Sequence, residues 1–123
     1  MPSRDSALDT FTAWLRQRWT AVRECERLAG TALYDNNNES AYRDLMKQKA
    51  TLLASLAENA APFLRALSGQ EKQRVQDSLD MFSKNAQTAL RLDSVFYMSA
   101  LLYPDNHQKG EPDNLEQFIA SLS

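Results

Sequence analysis

Cysteine, histidine, glycine and proline are all scarce in this chain: 1, 1, 3 and 4 of 123 residues. With Cys25 alone there is no intrachain disulfide and no cysteine-based zinc site. Cys25 stands between Glu24 and Glu26, whose charges disfavour a thiolate, so it reads as a small apolar filler rather than a redox group. One histidine cannot supply the paired Glu-x-x-His pattern of di-iron bundles, and no base stands near a nucleophile as catalytic triads require. There is no glycine-rich phosphate loop. The expectation is no enzyme activity, no cofactor and no metal. A basic excess is also lacking. The formal net charge is -2, so no field exists to hold nucleic acid, whose affinity rests on phosphate neutralisation. No apolar run approaches the ~20 residues that span a bilayer. Residues 1–5 lack the apolar core of a signal peptide, so no membrane partner and a cytoplasmic location are expected.

What the chain does contain is helical period. From about Asp5 to Leu33, Leu8, Leu15, Val22 and Ala29 recur every seven residues, with Phe11, Cys25 and Ala32 at the second seam position. Trp14, Trp19, Leu28 and Leu33 widen that stripe on both flanks, which suits a helix touching two neighbours. Arg18 falls on the seam itself, where its stem can pack while its head reaches out. Residues 35–38, Asp-Asn-Asn-Asn, form a turn, and Asn36 or Asn38 caps a second helix. That helix should run to about Leu67 on Tyr42, Leu45, Met46, Leu52, Leu53, Leu56, Ala60, Phe63 and Leu64. Pro62 interrupts it, so a kink is expected near 58–61, or a break followed by a short helical piece.

Ser68 and Glu71 have the spacing of a capping box and open a third helix. Its apolar residues recur three and four apart from Val75 to Leu101, without Gly or Pro until Pro104. A loop over 105–113 follows. Asp113 and Glu116 make a second capping box, and Leu115, Phe118, Ile119 and Leu122 share one face of a short last helix. The expected fold is all-α: an antiparallel bundle of three long helices over residues 1–104, then an acidic loop and a short amphipathic helix over 105–123.

Several residues stand out as candidate sites. Lys49 and Asp93 are charges on apolar stripes, each about ten residues from a shared end of antiparallel helices. They are expected to meet as a buried pair that fixes register. Asn59 and Asn85 interrupt the stripes lower down. Trp14 and Trp19 flank the first seam on opposite sides, so at least one is expected to stay partly exposed and anchor a partner. Leu115, Phe118, Ile119 and Leu122 need burial either on their own bundle, as a latch that a partner helix displaces, or on another chain.

The segment Tyr42-Arg43-Asp44-Leu45-Met46-Lys47-Gln48-Lys49-Ala50-Thr51-Leu52-Leu53 resembles the second helix of the FlgN/FliT-type flagellar export chaperones, with its lysine followed by paired leucines. The resemblance spans about residues 8–100. Gln48 stands where that family would place an acid. It implies a cytoplasmic helical bundle that binds an amphipathic helix of an export substrate, without catalysis. A second reading is a bundle that forms a homodimer or scaffolds another complex through similar helix-in-groove contacts. A third is histidine phosphotransfer, because residues 106–110, Asn-His-Gln-Lys-Gly, resemble the H-x-x-K-G signature of those domains. Here the lysine is one residue too close to His107, and the segment lies in a loop.

Overall fold

The structure, a computed structural model, describes residues 4–122. Residues 1–3 and 123, which belong to the expected domain spans, lie outside the described residues. Helix α1 runs over Arg4–Gly30 and passes into a π-helical turn, Thr31–Asp35. Asn37 then adopts φ +52, and the Asn38 side chain caps α2, Glu39–Ala54, by accepting the Ala41 N–H at 3.0 Å. The asparagine run makes the expected turn because Asn tolerates positive φ and its side chain satisfies a free helix N–H. Helix α3 covers Leu56–Leu64, α4 Gly69–Arg91, α5 Val95–Ala100 and α6 Asn114–Ala120.

The α2–α3 rod lies between α1 and α4, and α6 closes the open side against α1. This is the expected all-α bundle of three long packed helices. One core holds Phe11, Leu15 and Val22 of α1 with Leu53, Leu56, Ala60 and Leu64 of the rod. Val75, Leu79 and Ala86 of α4 complete it from the other side. Leu115, Ile119 and Leu122 belong to this same core. The last helix is therefore packed into the bundle rather than appended to it. At ~1.5–3 kcal/mol for each fully buried side chain, those three residues supply enough to hold a helix too short to persist alone.

Two long helices are interrupted where the apolar periodicity showed no break. The rod breaks at Ser55, seven residues ahead of Pro62, and helix continues past the proline to Leu64. The cause is Ser83 on the neighbouring α4. Its hydroxyl donates to the Leu53 carbonyl at 3.0 Å and accepts the Ala57 N–H at 2.9 Å. That inserts one side chain into the bond Leu53 and Ala57 would otherwise share, a recognised origin of sharp helix bends. The expected bend at 58–61 is corrected accordingly.

The third helix ends at Arg91 rather than Tyr103. Asp93 takes φ +49. The Ser94 N–H donates to the Ala89 carbonyl at 3.2 Å and the Asp93 N–H to the Leu90 carbonyl at 3.0 Å, the paired bonds of a Schellman stop. Ser94 then caps α5 by accepting the Tyr97 N–H at 3.2 Å. Glycine usually holds the left-handed position in this motif; here an aspartate does, so the stop carries no obvious mark. At the other end of α4, Ser68 occupies the cap position without a capping bond.

Ser83→Ala should take a hydrogen-bond partner from the part-buried Ala57 N–H and from the Leu53 carbonyl, and lower unfolding stability by ~1–3 kcal/mol in chemical denaturation. Ser55→Ala should cost less. The reverse order would show that Ser55, not Ser83, imposes the break.

Candidate functional site

Two features of the molecule could carry function: a buried ionic network and a surface groove. The network centres on Lys49, which is 0% exposed. Its ammonium lies 3.0 Å from Glu26 Oε2, donates to the Ser99 carbonyl at 3.1 Å, and sits 5.1 Å from the centroid of the Tyr103 ring. The other Glu26 oxygen accepts from Arg23 at 3.0 Å and from the Tyr103 hydroxyl at 2.9 Å. Arg23 also donates to the Tyr103 oxygen at 2.7 Å. Nearby, buried Asp113 accepts the Trp19 indole N–H at 3.0 Å and caps α6 by accepting the Glu116 N–H at 2.8 Å. The cluster joins α1, α2, α5 and the start of α6.

Burial pushes the Lys49 pKa down, and the Glu26 charge and hydrogen bond oppose the shift. Burial, with the hydrogen bond to Glu26, pushes the Tyr103 hydroxyl up. Burial first, then Glu26 and Glu24, also raise the Cys25 thiol, which suits a packed rather than a reactive cysteine.

The expected Lys49–Asp93 pair does not form. Lys49 is buried as anticipated, but its partner is Glu26. Asp93 is exposed and faces Lys47 at 3.4 Å and Arg43 at 4.0 Å. That pairing requires an unbroken helix to Tyr103, and the turn at Asp93 takes this residue out of the core. Glu26 was hidden in the charged run 23–27, yet a signal existed: it stands four after Val22 and three before Ala29, on the same face. Asn59 and Asn85 are likewise exposed rather than on buried stripes.

The proposed partner-binding residues are also re-placed. Leu115, Ile119 and Leu122 are buried in their own chain, and Phe118 packs edge-on against Phe82 at 5.8 Å. Leu115, Ile119 and Leu122 offer no free apolar surface, because docking on the bundle has already consumed it, while Phe118 stays partly exposed. Trp14 and Trp19 are both half-buried. Trp14 packs with Phe63 and Phe11 at centroid distances of 5.1 and 6.2 Å, with the Arg18 guanidinium 5.6 Å above it. Trp19 ties down the tail through Asp113. Both keep the expected partial exposure while making these internal contacts.

The open surface lies elsewhere. Two cavities of about 500 and 440 Å³ run along α4 where α5 and α6 meet it, and both touch Asn85, Leu101, Leu102 and Asn114. No charged side chain lines either. Met81 and Leu92 line them at 59% and 53% exposure, and exposed Tyr97 lines the larger. Sequence periodicity missed this groove because Met81, Asn85, Thr88 and Leu92 lie off the buried stripe and the facing wall comes from residues 97–121. His107 lies in the loop, with Nε2 2.9 Å from the Glu111 carbonyl. Among the described residues no three His, Cys, Asp or Glu side chains group as metal ligands, and no helix is long and apolar enough to cross a membrane. No protein-family model, curated protein or solved structure matches the chain.

Glu26→Leu should destabilise by ~3–5 kcal/mol, because it leaves the Lys49 charge buried without a counter-ion. Lys49→Met should cost less, since Glu26 keeps Arg23, and the double variant should recover part of the loss. Additive losses in chemical denaturation would show that the pair is not coupled. The two titrations act in opposite directions. Lys49 has a folded pKa below its unfolded one, so its contribution improves as pH rises through that window toward 10.5. Tyr103 has a folded pKa above its unfolded 10.0, so its contribution is whole below that pH and falls away above it. Tyr103→Phe should therefore flatten the alkaline loss of stability above pH 10.0, measured as the difference from wild type.

Proposed function

We propose that this protein is a non-enzymatic binding module that holds a partner protein in the groove formed by α4, α5 and α6. The observation that carries this reading is the uncharged groove itself, bordered by Met81 and Leu92 at more than half exposure. Large apolar side chains grouped around a concavity cost free energy in water, and a partner's apolar face recovers it. The FlgN/FliT-type resemblance supports the same class of activity: capture of a helix from an export substrate in the cytoplasm. In this reading the contact residues are Met81, Leu92 and Tyr97, with α6 as a wall of the groove rather than a free arm.

The polar network serves this reading by rigidity. Lys49 and Tyr103 hold the chain between α5 and α6 against the bundle, so the groove keeps its shape when empty. A preformed groove loses less entropy on binding than one that must be ordered.

Affinity capture from the source cell, with the retained protein identified and its binding remeasured in purified form, tests the reading. Met81→Asp and Leu92→Asp should each weaken that binding by about tenfold or more while leaving thermal unfolding nearly unchanged, because a buried charge at a binding centre is costly and an exposed one is not. Deleting residues 113–123 should weaken binding too, and should destabilise the fold by exposing the core. Undiminished binding by Met81→Asp and Leu92→Asp would place the contact elsewhere.

A further inference from the structure

Seven residues of α4 and its C-terminal cap line the two cavities, and five of them, Ser78, Met81, Asn85, Thr88 and Leu92, follow one regular line, with Phe82 and Ala89 on its inner side. The steps are three, four, three and four, the spacing of a and d positions in a heptad repeat. The bundle itself buries a second stripe of α4, namely Val75, Leu79, Ser83, Ala86 and Ala89, which meets the cavities only at Ala89. This helix therefore has two seams, one filled and one open. At ~1.5 Å per residue the open seam runs ~21 Å. A stripe of that period stays in register with another helix; an extended strand, with its period of two, would not follow it.

The flanks of the seam decide which helix. On the inner flank stand Phe82, packed against Phe118, and Ala89, buried. On the solvent flank stand Asp77, Lys84 and Arg91, all exposed. Among the described residues Lys84 and Arg91 make no ion pair. A second copy of the chain is a poor occupant. In an antiparallel pairing, a against d, Met81 meets Leu92 and Asn85 meets Thr88 of the second copy, but Lys84 then lies beside Arg91 twice. In a parallel pairing Lys84 faces Ala89 and finds no counter-charge. Like charges across a coiled-coil flank select against that partner.

Resting on the binding reading above, we infer that the α4 seam takes an amphipathic helix of another protein, apolar along its own seam and acidic on the flank that meets Lys84 and Arg91. Met81 and Leu92 are the apolar anchors. Asn85, in the middle of the seam, specifies register at some cost in affinity, as a polar residue at an a position does.

The probes are two synthetic three-heptad peptides with identical leucine seams, one with glutamate and one with lysine at every flanking position. Like charges along its flanks keep each peptide from pairing with itself. Fluorescence anisotropy with the full chain should show the acidic peptide binding at least about tenfold more tightly than the basic one, with the gap narrowing as salt rises. The chain's net charge of -2 favours the opposite order, so non-specific attraction cannot produce this result. Lys84→Glu combined with Arg91→Glu should reverse the preference. Equal binding, a preference for the basic peptide, a preference that survives the double reversal, or no binding of either peptide overturns the inference. Met81→Asp separates it from the reading it rests on. Loss of peptide binding in Met81→Asp keeps the groove even where the charge preference fails; binding that persists in Met81→Asp removes the groove itself. Sedimentation that finds a dimer dissolved by Leu92→Asp would make a second copy the occupant and also overturn the inference.

Discussion

Lys49 is shut off from water, and its ammonium group is held by the Glu26 carboxylate, the Ser99 carbonyl and the face of the Tyr103 ring. These partners come from α1, α5 and the chain just beyond α5, while Lys49 itself comes from α2. Removing a charge from water costs several kcal/mol before any partner is counted. The arrangement is therefore tolerable only when all the partners are in place together. A shift of α2 by one turn would leave the charge among leucines and alanines, which could accept the shift without it. The interaction selects one arrangement among several that apolar packing would permit.

The same constraint explains how a non-helical stretch can cross the bundle after α5. Leu102 adopts φ +77, a conformation that side chains other than glycine rarely take. It is held there because its side chain is buried and its carbonyl accepts the Asn114 N–H at 2.9 Å. Tyr103, next in sequence, is fixed by Glu26 and Arg23. Local strain of this kind persists where the surroundings over-determine the backbone. Its consequence is spatial: α5 and α6 lie along α4 as the far wall of the groove, instead of continuing α4 as a straight rod.

Helix α4 thus performs two tasks with different faces. Its buried stripe carries Ser83, whose hydroxyl bends the rod beside it, and small alanines that admit close packing. Its other stripe is a second seam with exposed apolar ends. The two are about a third of a turn apart, so neither interferes with the other. Had the chain continued as helix from Arg91 to Tyr103, the open seam would have lengthened but lost its opposing wall.

Much of this architecture is set locally. Period in the apolar residues determines that the chain is helical, and the asparagine turn and the Asp113 cap determine where two of its helices begin, because these features act within a few residues of themselves. The burial of Lys49 follows likewise from its place on a stripe. Its partner does not, since Glu24 and Glu26 are alike in type and only the rotation of α1 decides which of them turns inward. The break at Ser55 is likewise invisible along the rod, because the group that makes it belongs to α4. Asp93 appeared to continue a stripe, and became a turn because the left-handed position can be held by an aspartate when the bonds from Asp93 and Ser94 close around it. The tail residues had to be buried, but whether by this chain or another depended on a groove that exists only once α1 and α4 are assembled. Sequence by itself determined the elements and their apolar faces, which are short-range properties. Tertiary structure alone decided which charges meet, where the α2–α3 rod breaks and which seam stays open, because each depends on atoms far apart in the chain.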